Sequence, residues 1–187
     1  MAQLFARSFA LLGAALALSV PAVQAAETGG AAALDGTWQH HHVQFDYFGE
    51  TTLFTCDGLE GQVSQILRYL GARKDIKVHA TGCPGPLGAP SRMAWVDVDF
   101  YSLAPSDAAA AGTPVKAQWS AALLTPRQPS FSSEGHCELF QSMKDTILKN
   151  FSVRGFDYRT SCVPHSLSLN GFEIKGDVLK PVLIKTS

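Results

Sequence analysis

The sequence predicts an α+β domain, a largely antiparallel sheet with two helices packed on one face. Three observations point there. Several runs alternate apolar and polar residues, as half-buried strands do. Two stretches carry apolar residues at helical spacing, and each opens at a cysteine. After each helix comes a strand, then a second cysteine and a proline close by, so the chain reads as two degenerate Cys-helix-strand-Cys repeats over residues 51–103 and 115–184. A ferredoxin-like duplication is the most specific form of this expectation.

The first helix follows Cys56-Asp57-Gly58-Leu59-Glu60. Asp57 can cap it while Glu60 reaches back, an Asp variant of the capping box. Leu59, Val63, Ile66, Leu67 and Leu70 share one face, and Gly71 is a natural stop. Ile76, Val78 and Ala80 then alternate with Lys77, His79 and Thr81 up to Cys83-Pro84. In the second unit Phe140, Ile147, Leu148 and Phe151 stand at the same offsets from Cys137 as Leu59, Ile66, Leu67 and Leu70 do from Cys56. The strand Phe156-Asp157-Tyr158-Arg159-Thr160 follows, ending near Cys162.

Four cysteines permit three disulfide connectivities. The repeat favours one. A helix and the strand that returns along it bring the helix start near the strand end, which pairs Cys56 with Cys83 and Cys137 with Cys162. Each bridge would close a loop of about 25 residues, worth roughly 3–4 kcal/mol in a chain-entropy account. There is no Cys-x-x-Cys for redox work and no Cys-x-x-Cys-His for covalent haem.

Residues 93–103 alternate cleanly, with Ala94, Val96, Val98 and Phe100 on one side and Trp95, Asp97, Asp99 and Tyr101 on the other. Residues 115–123 alternate too, and Val115, Ala117, Trp119, Ala121 and Leu123 are expected to face inward. Residues 104–114 and 125–133 are Pro-rich loops. Leu169-Asn170-Gly171-Phe172 is a hairpin signal. Residues 178–184 are expected as an edge strand, because Pro181 lacks the amide a central strand needs. In all, seven or eight strands are expected.

The N-terminus has one arginine, a short apolar run over residues 9–20, Pro21 and the small-residue pattern Val23-Gln24-Ala25. This order is that of a secretory signal peptide, residues 1–25, cleaved after Ala25. The apolar run is shorter than the roughly 20 residues a membrane span requires. No cysteine follows the cleavage site to carry a lipid. Residues 26–36 are expected to be a flexible leader, and residues 37–187 a single disulfide-bonded domain. The mature chain would live in the periplasm or outside the cell, where disulfides persist, with no transmembrane segment.

Thr37-Trp38-Gln39-His40-His41-His42-Val43-Gln44-Phe45-Asp46-Tyr47-Phe48 holds half of the six histidines. As a strand it sets His40, His42, Gln44 and Asp46 on one face and His41, Val43, Phe45 and Tyr47 on the other. Two imidazoles two residues apart stand roughly 6.5–7 Å from one another. His40 and His42 could clamp Zn²⁺ or Cu²⁺, with Asp46 completing the set. The plainer reading is a wet strand face, and no HExxH pattern is present.

Catalytic motifs are absent from the sequence. It has no Gly-x-Ser-x-Gly elbow and no phosphate-cradling glycine pattern, and Asp97 and Asp99 read as outward residues of an ordinary strand. No catalytic residue and no cofactor is assigned, apart from the Zn or Cu alternative. With 14 Lys+Arg against 16 Asp+Glu after residue 25, there is no concentrated basic surface for nucleic acid.

Cys56-Asp57-Gly58-Leu59-Glu60, with Leu70-Gly71-Ala72-Arg73-Lys74-Asp75 and Cys83, resembles a family of uncharacterised secreted proteins of Gram-negative bacteria. The resemblance implies export and the disulfide staple and carries over no functional residue. The expected function is therefore a non-enzymatic exported protein that binds a small ligand or another envelope protein. Its expected surface carries Trp38, Trp95 and Tyr101, since aromatics on a rigid sheet make good anchors. A metal-binding envelope protein using His40 and His42 is the alternative, and an exported hydrolase a remote one.

Overall fold

The computed structural model describes residues 33–83, 91–106, 113–132, 136–162 and 171–182. The expected signal peptide, most of the expected leader, part of both Pro-rich loops and the Leu169-Asn170 hairpin signal lie outside them.

Among the described residues six strands form one sheet in the order β2-β3-β1-β4-β6-β5, every neighbouring pair antiparallel. They are β1 (Leu34–Phe48), β2 (Lys77–Thr81), β3 (Met93–Pro105), β4 (Val115–Leu124), β5 (Val153–Thr160) and β6 (Phe172–Pro181). Helix α1 (Cys56–Tyr69) follows β1, and α2 (Cys137–Lys144) follows β4. The described residues thus form two βαββ units. In each, the strand after the helix lies at the sheet edge and the last strand pairs with the first. This is not the β-α-β-β-α-β order of a ferredoxin-like domain, because each unit contributes three strands. The duplication also reaches further than residues 51–103, since β1 is the counterpart of β4.

Three features recur at a spacing of 81 residues, Trp38 with Trp119, Cys56 with Cys137, and Arg73 with Arg154. Each cysteine pair is a disulfide. Cys56–Cys83 and Cys137–Cys162 have Cα separations of 5.3 and 6.0 Å, and each ties a helix start to the end of an edge strand.

Both helices contribute to a single core on one face of the sheet. Leu59, Val63, Ile66 and Leu67 of α1 and Leu139, Phe140 and Met143 of α2 join Phe45, Tyr47, Val96, Val98 and Phe100. Aromatic contacts run through it, Phe100 on Phe151 at 5.6 Å and Phe140 on Phe172 at 4.6 Å between ring centroids. The loop after β1 is held by Glu138, whose buried carboxylate accepts the Glu50 and Thr51 amides at 3.0–3.2 Å. Beside it, the Tyr47 hydroxyl donates to the Thr52 carbonyl at 2.5 Å. Burial and the nearby Glu138 charge push the Tyr47 pKa well above the usual phenol range.

Several local expectations are corrected. The strand begins at Leu34, so residues 34–36 belong to the sheet and not to a leader. Helix α1 is capped by Thr55, whose Oγ1 accepts the Gly58 amide at 3.1 Å, because the helix starts one residue earlier than Asp57. Glu60 instead accepts the Ala80 amide at 2.8 Å and pins α1 to β2. Gly71 does end the helix, at φ +93°, its amide donating to the Arg68 carbonyl.

Helix α2 stops at Lys144, and Leu148–Asn150 form a 3-10 turn. Thr146 Oγ1 and Asn150 Nδ2 donate to the Ser142 and Thr146 carbonyls, local bonds that compete with a continuing helix. Ile147, Leu148 and Phe151 still reach the core. Strand β6, expected at an edge from residue 178, is interior; Pro181 is its last residue, where a missing amide does no harm. The edges are β2 and β5.

Strand β4 turns the opposite way to the expectation. Ala122 and Leu124 meet the helices, whereas Val115, Ala117 and Trp119 face the other side. The run Ala121-Ala122-Leu123-Leu124 is apolar on both parities, so alternation alone does not say which side is core. On the outer side Leu103, Ala117 and Leu179 form a second small cluster, with Leu34, Trp38, Val115 and Trp119 packed around it. This cluster lies over the seam where β1 meets β4 through three residue pairs only, Leu34 with Ala117, Asp35 with Lys116 and Gly36 with Val115. A Cβ on Gly36 would lie 3.1 Å from the Ala117 Cβ and 3.2 Å from the Ala104 carbonyl, so the close approach favours glycine.

Candidate functional site

Because both helices lie on one side, the other face of β1, β3 and β2 displays its side chains. Cross-strand register orders them into rows. Trp38 lies opposite Leu103, and His40 opposite Tyr101. His42, Asp99 and Lys77 form the next row, then Gln44, Asp97 and His79, then Asp46, Trp95 and Thr81.

The two histidines proposed as metal ligands do share this face, but each meets a carboxylate diagonally across the strand pair. His40 Nε2 is 3.0 Å from Asp99 Oδ2, and His42 Nε2 is 3.5 Å from Asp97 Oδ2. Gln44 Nε2 donates to the same Asp97 oxygen at 2.7 Å. Asp46 lies four residues beyond His42, on the order of 13 Å along the strand. Among the described residues no group of three or more His, Cys, Asp or Glu side chains is placed to hold a metal ion.

His41 points to the helix side. Its ring lies 5.1 Å from Phe100, and Nε2 is 2.9 Å from Ser102 Oγ. That hydroxyl donates to the Asn150 carbonyl at 2.6 Å, so the imidazole Nε2–H must be the donor to it. Burial, helped by neighbouring His40, lowers the His41 pKa and favours this neutral form. A Ser–His contact with the proton running from His to Ser is the reverse of an activated nucleophile, and Ser102 is only 1 % exposed. It is a structural relay between β1, β3 and the 3-10 turn.

The three aromatic candidates occupy two places. Tyr101 and Trp38 are half-buried and share one cover, the Arg73 guanidinium, 3.6 Å from the Tyr101 ring centroid and 5.9 Å from that of Trp38. Arg73 is fixed by a bidentate pair with Asp75 at 2.6 and 2.7 Å, and its amide donates to the Tyr101 carbonyl. The hydrogen bond from Arg73 holds the Asp75 pKa below the usual carboxylate range. Trp95, six residues along β3 and roughly 20 Å away, is 55 % exposed. Phe131 of the loop at residues 125–132 packs edge-on against Tyr69 beside α1.

Next to Trp95 lies an open depression of about 220 Å³ lined by Gln44, Asp46, His79, Thr81, Trp95 and Asp97, together with Phe45 and Val96 at its floor. It unites His79 with Asp97, a pairing sequence reasoning had left on separate strands. His79 Nδ1 is 3.6 Å from Glu60 of α1. No serine or cysteine lines it. Gly82 gives Trp95 its seat: at φ +81°, its Cα approaches the indole so closely that an added Cβ would meet ring carbons at 2.6 and 2.7 Å. Gln44, His79, Thr81 and Gly82 were not singled out as site residues from the sequence. The available signal was the outward parity of His79 and Thr81 on β2.

Comparison with family models, curated proteins and solved structures finds no match to this chain.

Proposed function

We propose that this is an exported, non-enzymatic binding protein whose ligand docks on the helix-free face of β1, β3 and β2. The observation that carries the reading is Trp95, an indole more than half exposed, seated on glycine at the edge of a polar depression. Exposing a large aromatic ring on a rigid sheet is costly unless a partner covers it, and such rings make effective anchors. Periplasmic or extracellular location is supported by the signal-like N-terminus and by two disulfides with no free cysteine. The resemblance to secreted Gram-negative proteins supports it as well. A metal-binding role for His40 and His42 has less support, since carboxylates on β3 already engage both rings.

The test is amide chemical-shift mapping of the mature, oxidised protein in the presence of fractionated envelope extract. Saturable shifts clustered on the outward residues of β1–β3, lost in Trp95→Ala, are expected. Shifts confined to the helix side, or none from any fraction, would overturn the reading.

A further inference from the structure

Several concave places could hold a ligand, among them two on the second unit, of about 380 Å³ beside Arg159 and Glu173 and about 390 Å³ beside Lys144 and Lys149. The one beneath the helices, lined by Leu70, Ala122, Leu124, Phe151 and Ile174, has a volume of about 20 Å³, room for a water-sized group only. The depression beside Trp95 is about ten times larger and open.

Its lining has a definite charge. Asp46 and Asp97 contribute two carboxylates, and neither lysine nor arginine contributes to the lining. Asp97 is engaged by the Gln44 amide and the His42 ring, neither of them a lysine or arginine. Asp46, exposed and directly opposite Trp95 in the register, has no ion-pair partner among the described residues. An anion is therefore repelled. A purely apolar ligand would strand the carboxylates against it, which costs free energy. An aromatic face beside unneutralised carboxylates is the arrangement that attracts an organic cation, through the ring quadrupole and the local field together.

We propose that the depression binds an ammonium group, primary or quaternary, with Trp95 as its aromatic wall and Asp46 and Asp97 as counter-charges. The inference rests on the reading of this face as a binding surface and names the chemistry of its ligand. Gly82 is a positioning residue. It lets the indole approach the backbone beside the carboxylates, and a side chain there must push the ring out of place.

The experiment titrates the mature, oxidised full domain with choline, with spermidine and with 3,3-dimethylbutan-1-ol, the neutral isostere of choline, followed by amide and indole proton shifts. At least one of the two cations is expected to saturate, with shifts centred on Trp95 and its cross-strand neighbours. The neutral alcohol should bind about tenfold more weakly or not at all, the discrimination expected of a cation–π contact with nearby carboxylates. Trp95→Ala should abolish binding, Asp46→Asn should weaken it severalfold, and Gly82→Ala should weaken it with both carboxylates in place. Trp95→Ala removes an exposed ring, and unchanged amide shifts outside the depression verify its fold. Equal binding of the neutral alcohol, or no saturable shift with either cation, would overturn the proposal. If ammonium binding fails while extract-induced shifts still depend on Trp95, the binding surface stands and only its assigned chemistry falls. If both fail, both readings fall.

Discussion

The two βαββ units invite comparison, because they share a framework and differ in what they expose. Both keep the disulfide between helix start and edge strand, and both place an arginine over a tryptophan, Arg73 over Trp38 and Arg154 over Trp119 at 3.9 Å. Away from the seam they part. The outward rows of the second unit are a charge network, with Asp157 paired to Arg159 and Lys175, and Lys175 also to Glu173. The first unit carries histidines, single carboxylates and Trp95 at the equivalent end. The difference teaches that the framework recurs while the outward side chains diverge, with an exposed indole in one copy and paired charges in the other.

The most severe way to break this comparison is to remove the staples one at a time. Cys56→Ala/Cys83→Ala and Cys137→Ala/Cys162→Ala open loops of nearly equal length, with sequence separations of 27 and 25. Each is expected to lose about 2–5 kcal/mol in urea unfolding. A large inequality between them would show that one unit depends on its bridge for more than loop closure.

Glu138→Ala comes next. It removes a buried carboxylate that accepts two backbone amides and should cost about 2–3 kcal/mol, whereas Glu60→Ala, which frees the single Ala80 amide, should cost about 1 kcal/mol. Thermal unfolding of the pair measures how unequally the helices are anchored.

Acid exposes a smaller asymmetry. Burial lowers the pKa of His41, on the sheet, and of His136, whose ring stacks on Phe54 at the start of α2. Both folded values lie below the ordinary 6.5, so the stabilisation they allow is complete above that pH and is lost as pH falls below it. Urea midpoints should drop between pH 7 and pH 5, and the slope should flatten in His41→Asn and in His136→Phe. A midpoint constant across this range in the unsubstituted protein would contradict the assignment.

The smallest effects belong to the outer face. Asp157→Asn should leave the unfolding temperature nearly unchanged at physiological salt, since exposed pairs are weak and screened. Zn²⁺ or Cu²⁺ should bind only weakly, with little change in His40→Ala/His42→Ala. Tight stoichiometric binding abolished by that variant would instead revive the metal reading.

Much of the framework was legible because it rests on local patterns. Helix α1 shows itself by the stripe from Leu59 to Leu70 and the stop at Gly71, and the two disulfides follow from matched cysteines around matched helices. The faces of β1 and β3 were readable because their alternation is strict. What escaped depended on pairing between distant segments. Nothing local in Ala121-Ala122-Leu123-Leu124 says which side meets the helices, and nothing near Pro181 reveals that β5 will fold back to cover β6. The candidate site was half visible. Trp95 and Asp97 lie on one readable strand, but their union with Asp46, His79 and Gly82 is created by register across three strands. No periodicity within any one of those strands encodes it.

The seam between the units carries a last consequence. Leu34 faces Ala117 while Val115 faces Gly36, so each side offers one large and one small residue to the other. Moving from one unit to its copy 81 residues on exchanges Leu34 for Val115 and Gly36 for Ala117, and the match is preserved. The junction is in effect a palindrome, the isologous contact of a symmetric dimer written into one polypeptide. With both halves in one polypeptide, the symmetry need hold only at the junction, and away from it the outward faces of the two units do differ.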